Sequence, residues 1–227
     1  MKYNNIYPGK FISRPNRFIA NIEISGNTEV CHVKNTGRCK ELLIEGADVF
    51  VQKSDNPLRK TAYDLISVYK NGMLINMDSQ APNKVFCEWA RESNFFGDIT
   101  LLKPECKYKN SRFDFYIETD NRKIFVEVKG VTLENDGVVS FPDAPTERGV
   151  KHINELIDAV KNGFEAYVFF VVQMEKCSHF TPNRDNHPEF ADILLQAEKA
   201  GVGIKAIKCK VTKTEITAYE FVETDIK

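Results

Sequence analysis

Residues 112–129 read RFDFYIETDNRKIFVEVK, and the rest of the chain is best understood outward from them. Two runs with apolar residues in alternation, Phe113-Phe115-Ile117 and Ile124-Val126-Val128, flank the turn-like Thr119-Asp120-Asn121. This is the pattern of a β-hairpin. Asp and Asn tolerate the positive φ of a tight turn, so Asp120 and Asn121 are the expected two-residue loop. That loop sets a register in which Asp114 faces Glu127 across the ladder, with Cβ atoms roughly 4.5–5.5 Å apart. Lys129, two residues beyond Glu127, projects from the same face.

Carboxylates placed opposite each other repel unless something neutralises them. A divalent cation does so, and paired carboxylates with open positions suit Mg²⁺. A nearby ammonium can orient a metal-bound water or stabilise charge on a phosphate oxygen. Asp114, Glu127 and Lys129 are therefore a candidate phosphodiester-cleaving centre. The competing reading is that E-x-K is a common pattern on solvated strand faces. The register favours the site, as does the uncommon run FPDAPTERG at 141–149, which leads into a helix.

A chain of 227 residues allows one large domain or two small ones. Its 42% hydrophobic and 28% charged content suit a globular protein with a real core. No apolar run approaches a membrane span, and the start MKYNNIYPGK lacks a signal-peptide core. A cytoplasmic location is the expectation. The six cysteines are scattered without a C-x-x-C pair, which predicts reduced thiols rather than a zinc site or disulfides. The net charge of −1 argues against a uniformly basic nucleic-acid binder. Residues 1–80 nevertheless carry 11 Lys/Arg against 8 Asp/Glu, and residues 81–227 carry 20 against 24. Phosphate contact is expected in the first part and the acidic site in the second.

Residues 1–80 show short β-prone runs at 6–12, 18–24, 29–33, 47–52, 63–69 and 74–75, separated by turn signals. Such spacing predicts a small all-β barrel of the OB type. A helical turn at 39–44 follows Asn35-Thr36-Gly37-Arg38, whose free backbone N–H groups and Arg38 side chain can meet phosphate. The other reading is an ordinary loop before a helix start. Arg14, Arg17, Lys34, Arg38 and Lys40 are candidates for a basic face. Tyr7, Phe11, Phe18 and Tyr63 are available to stack on bases, although most of them belong to a core.

Ser79-Gln80-Ala81-Pro82 reads as the junction to a second domain, 81–227. A helix is predicted over 84–93 with Val85, Phe86, Trp89 and Ala90 inward and Glu88 to the side. A strand is expected at 103–108. Thr146 is the expected N-cap of a helix running to Lys161, with Glu147 in its first turn. Its buried face is read as Val150, Ile153, Leu156, Ile157 and Val160, with Glu147 and Lys151 paired on another face beside His152. Glu147 is either a surface residue favoured by the helix dipole or part of the site. The run AYVFFVV at 166–172 predicts a strand buried on both faces. Gln173 stands just beyond it, where open α/β sheets often place functional groups. A helix over 188–200 and a strand over 202–210 complete an α/β domain with a mixed sheet.

The sequence resembles the sugar fermentation stimulation protein A family along almost its whole length. The resemblance is carried by Asn35-Thr36-Gly37-Arg38, Tyr63-Asp64-Leu65, Asn83, Glu88, Ser111-Arg112-Phe113-Asp114, Glu127-Val128-Lys129-Gly130-Val131-Thr132, the run at 141–149, and Lys151-His152. Family members commonly have Val at the place of Pro145 and a polar residue at the place of Val150. The resemblance implies an OB-like barrel followed by a PD-(D/E)xK nuclease-like domain, with Phe113 standing where the label would have Pro. It implies that Asp114, Glu127 and the Val128 carbonyl hold Mg²⁺ or Mn²⁺ while Lys129 positions water. Glu88 fits the helical acid that often assists, with Glu147 a further candidate. It further implies DNA as the partner, with Arg148 and Lys151 added to the nucleic-acid contacts. The alternative is a non-catalytic DNA-binding regulator that keeps a nuclease-like fold. A homo-oligomer is left open.

Overall fold

The computed structural model describes residues 1–227. Six strands come first: β1 (Ile6–Asn16), β2 (Ile19–Ile24), β3 (Asn27–Val33), β4 (Asp48–Lys53), β5 (Tyr63–Lys70) and β6 (Met73–Asn76). Their order is β3-β2-β1-β4-β5-β6, and a parallel pairing of β3 with β5 closes the sheet into an OB-like barrel. The expected helical turn is a single turn, in which the Leu42 and Leu43 N–H groups donate to the Cys39 carbonyl. No helix in the protein is long and apolar enough to cross a membrane.

The second part contains α1 (Ala81–Glu92), β7 (Leu101–Tyr108), β8 (Ser111–Glu118), β9 (Lys123–Val131), β10 (Leu133–Asn135), β11 (Val138–Phe141), α2 (Glu147–Lys161), β12 (Glu165–Val172), β13 (His179–Pro182), α3 (Pro188–Lys199), β14 (Gly203–Val211) and β15 (Ile216–Thr224). A mixed nine-stranded sheet forms in the order β10-β11-β13-β15-β14-β12-β9-β8-β7. Strand β12 is parallel to both β9 and β14. A central parallel strand is covered on both faces, which is why its sequence is a continuous apolar run. One face carries α1, and the other carries α2 and α3. The short β13 has no apolar run of its own and was not anticipated. Met1–Tyr3, counted with the barrel on sequence, lie against the second sheet through the Lys2–Glu215 bridge and the buried Tyr3.

The barrel and the second layer share one apolar cluster, which runs from Phe11 and Val51 through Met77 to Val131 and Phe170. Gln173 is a structural tie rather than an exposed functional group. It is buried, and its Nε2 donates to the Asn76 carbonyl, Asn76 Oδ1 and the Asp78 carbonyl at 2.8–3.1 Å. Asp78 Oδ1 accepts the Gln80 N–H, and Lys34 Nζ donates to Asp78 Oδ2, so the junction is a fixed corner. All six cysteines are free; Cys31, Cys39 and Cys209 are buried and the other three half-buried.

On the barrel, Asp64 is almost fully buried and receives a two-pronged bond from Arg59 (2.6 and 3.0 Å) and a contact from His32 Nδ1 at 3.1 Å. Burial pushes its carboxyl up, but the Arg59 bonds and the Lys34 charge prevail and hold it below the ordinary carboxylate value. A depressed folded-state pKa stabilises the fold above the unfolded value, and that contribution is lost as pH falls through the folded one. Urea unfolding should therefore lose stability with acidification below about pH 4, and Asp64→Asn should flatten that slope. An unchanged slope in the variant would refute the assignment.

Candidate metal centre and nucleic-acid interface

The hairpin has the expected register over Phe115–Val126, Tyr116–Phe125, Ile117–Ile124 and Glu118–Lys123. Its loop is Asp120-Asn121, closed by the Thr119 N–H on the Arg122 carbonyl. Neither loop residue takes positive φ, so the turn does not use the backbone freedom expected of it. The ladder stops one pair short of Asp114 and Glu127. Alternation also breaks there: Phe115 packs in the core on the α1 side, while Phe113 packs in the core on the α2 side. The neighbouring strand answers with Glu105, which lies at φ 51° between the Pro104–Phe115 and Cys106–Phe113 pairs. The irregular step turns the Asp114 carboxylate inward, where Oδ2 accepts the Val128 N–H at 2.7 Å and Oδ1 accepts Asn83 Nδ2 from α1 at 2.8 Å.

Glu127 is 2% exposed in the middle of β9. Its Oε1 accepts from Lys129 Nζ and meets Nδ1 of the buried His152 at 2.5 Å. Its Oε2 is buried and has no partner. Burial pushes the Glu127 carboxyl up, but His152 and Lys129 more than offset this and hold it below the usual value. Asp114 goes the other way: burial and the adjacent Glu127 charge raise it against the Val128 N–H and Lys129. Two neighbouring carboxyls pushed apart in this way mark a charge conflict. No three His, Cys, Asp or Glu side chains converge with ligand spacing anywhere in the protein. A cation here would keep water or phosphate oxygens in its remaining positions, as Mg²⁺ does. The orphan oxygen and the unrelieved repulsion both fit one.

The other expected site residues fall elsewhere. Glu88 receives the Met1 amine at 2.5 Å and is not brought to the carboxylates; Asn83 is the α1 residue that reaches them. Glu147 is exposed on the first turn of α2, which the Thr146 hydroxyl caps by accepting the Gly149 N–H. Lys151 donates to the Asn110 carbonyl and lies 3.9 Å from Glu155, so it does not pair with Glu147. Val128 stands opposite Phe169 in the parallel ladder. Residues 35–37, 130–133 and 140–146 line a cleft of about 310 Å³ that begins one residue after Lys129. It is pinned by Asp143, whose Oδ2 accepts the Cys39 N–H at 3.1 Å.

Four basic residues, Arg14, Arg17, Arg38 and Lys40, surround a hollow of about 350 Å³ that shares Thr36 and Gly37 with the cleft and has no acidic lining residue. Arg14 is spent internally, donating to the carbonyls of Arg17, Asn35, Gly37 and Arg38. Lys34 is likewise engaged with Asp78 and Asp64. Asn35 Oδ1 accepts the Gly37 N–H and its amide reaches Thr132, so this residue shapes the loop. Arg17 lies over the half-exposed Phe18 ring, and Thr36, Arg38 and Lys40 face solvent. Phe11 is core; Tyr7 is exposed and meets Tyr63 edge-on. His152 and Asp143 stand in motifs that the sequence singles out, but the sequence reading gives them no role. The signal for His152 was its place one turn after Arg148, on the face that also holds Leu156.

Comparison with known proteins now bears on this geometry. Residues 80–215 match the sugar fermentation stimulation protein RE domain, and residues 12–77 match the SfsA N-terminal OB domain. The chain belongs to the sugar fermentation stimulation protein family. Homologues in Clostridium beijerinckii and Desulfitobacterium hafniense are 62% and 60% identical, each alignment covering 98% of this chain and 99% and 97% of the relative. A solved structure described as Pyrococcus furiosus SfsA in complex with Ca²⁺ aligns at TM-score 0.90 with 28% identity, covering 99% of this chain and 98% of that one. In this sugar fermentation stimulation protein family member, the barrel and the mixed sheet keep the fold of that relative throughout.

Proposed function

We propose that the protein binds nucleic acid, with DNA as the expected partner, and hydrolyses phosphodiester bonds with Mg²⁺ or Mn²⁺ held by Asp114 and Glu127. The observation that carries this reading is the buried, partnerless Oε2 of Glu127 beside a second carboxyl whose charge is opposed. The Ca²⁺ complex of the archaeal relative supports a hard divalent cation. When bound, such a cation polarises the phosphate and acidifies coordinated water. The chain's own residues do the rest. The Val128 N–H and Asn83 fix Asp114, and the Val128 carbonyl is the third candidate donor. Lys129, bonded to Glu127, is placed to orient a water and to meet charge on the phosphate. Thr36, Arg17, Arg38 and Lys40, with the exposed Arg148 of α2, offer the strand its phosphate contacts.

Labelled single- and double-stranded DNA and RNA, incubated with Mg²⁺ or Mn²⁺, test the activity directly. Cutting by the wild type that is lost in Lys129→Ala and Asp114→Asn, with gel-shift binding retained, is the expected result. Binding without cutting on every substrate would leave the regulator reading. The interface has its own test. Arg38→Ala and Lys40→Ala should each weaken binding on all sequences alike. Each should also reduce the slope of log K against log salt by roughly 0.7–0.9. A slope unchanged in both would remove the hollow from the binding path.

A further inference from the structure

We infer that His152 is a positioning residue for the metal centre: it holds Glu127 so that Oε2 alone is left for the cation. The inference rests on the metal reading above and concerns how the carboxylate is aimed. His152 comes from α2, on the far side of β9 from α1, and is 5% exposed. Its Nδ1 lies 2.5 Å from Glu127 Oε1, the same oxygen that Lys129 Nζ contacts. An ionised carboxylate only accepts, so Nδ1 carries the proton of this bond. On the other side of the ring, Arg148 Nε reaches Nε2 at 3.4 Å; a guanidinium only donates, so Nε2 accepts. The ring is thus held between a donor and an acceptor, with its edge against Phe113 at 82°.

Two donors on Oε1 occupy the lone pairs of that oxygen. Nothing occupies Oε2. Without the imidazole, Lys129 alone restrains the carboxylate, which is then free to rotate and present either oxygen. A side chain one step removed from a metal contributes through such orientation, and its loss typically weakens metal affinity by 10–100-fold. Sharing one oxygen also ties His152 to the Lys129 ammonium, so the imidazole indirectly fixes where that ammonium sits.

The test is calorimetric titration of Mn²⁺ and Ca²⁺ into wild type, His152→Ala, His152→Asn and His152→Gln, each checked by thermal melting. The Asn amide nitrogen superimposes on Nδ1, and the Gln amide nitrogen falls nearer Nε2. Positioning predicts that His152→Ala loses roughly 10-fold or more in cation affinity, that His152→Asn recovers most of it, and that His152→Gln does not. Equal affinity in wild type and His152→Ala overturns the inference while the metal reading stands. Asn and Gln variants equally weak also overturn it, because a packing role does not distinguish the two amides. A wild type that binds neither cation removes the metal reading itself, and the inference with it.

Discussion

Glu127→Gln should abolish measurable Mn²⁺ binding and lower cleavage about 10³-fold, roughly 4 kcal/mol of transition-state stabilisation. The substitution keeps the volume of a side chain that is 2% exposed, so the core on the α2 face is not opened. What it removes is charge. The oxygen left for a cation becomes part of a neutral amide, and the Lys129 ammonium loses its counter-charge. A hard divalent ion with few protein ligands depends on that charge, because neutral oxygens compete poorly with its hydration water. Asp114 should respond as well. The Glu127 charge is one cause of its raised pKa, so its carboxyl should titrate lower in the variant. Calorimetry with Mn²⁺ and single-turnover cleavage on the same preparation check this outcome. Cation affinity within twofold of wild type would sink the assignment.

Gln173→Ala should cost about 2–4 kcal/mol, because the Asn76 and Asp78 carbonyls lose a donor in a buried corner where each unsatisfied group costs about 1–3 kcal/mol, while Asn76 Oδ1 keeps the Asp78 N–H. The melting temperature of a protein of this size should fall by roughly 4–16 °C. The loss should appear as a single cooperative shift, since one apolar cluster spans barrel and sheet. Differential scanning calorimetry reads this directly. A second, low-temperature transition would instead mean that the barrel melts by itself. Gly130 belongs to the same corner: a Cβ there would stand 2.5 Å from Gln173 Oε1 and 2.7 Å from Pro82 Cγ. That approach is why a glycine follows the E-V-K element.

The hairpin, the barrel and the order of elements were legible because each rests on local pattern. Alternation at 113–117 and 124–128, turn residues and a two-residue loop specify a register without reference to the rest of the molecule. The break of that register at Asp114 was not legible. It depends on Glu105 in a neighbouring strand, and on the Val128 N–H and Asn83 as partners for the turned carboxylate. The buried face of α2 was legible in part, for a different reason. An apolar reading selects Ile153 and Leu156, which are buried, and Val150, Ile157 and Val160, which pack half-buried against the core; it misses Gly149, His152 and Ala159, which complete the buried face. Small residues mark where a helix approaches closely; a Cβ on Gly149 would stand 3.2 Å from Phe190. A histidine on that face looks polar until the carboxylate opposite it is known. The basic face keeps Arg17, Arg38 and Lys40 at the hollow but loses two members to internal bonds. Arg14 and Lys34 look free in sequence, but loop carbonyls and buried carboxylates claim them in three dimensions.

The fixed corner at Asn76, Asp78 and Gln173 has a consequence for how a strand would be cut. With no hinge between barrel and sheet, the spacing from the cationic hollow to the carboxylates is a constant of the fold. A strand anchored by its phosphates in the hollow would meet the scissile position a set number of nucleotides away. The protein would then act as a ruler, with the substrate bending to it and products emerging at one length.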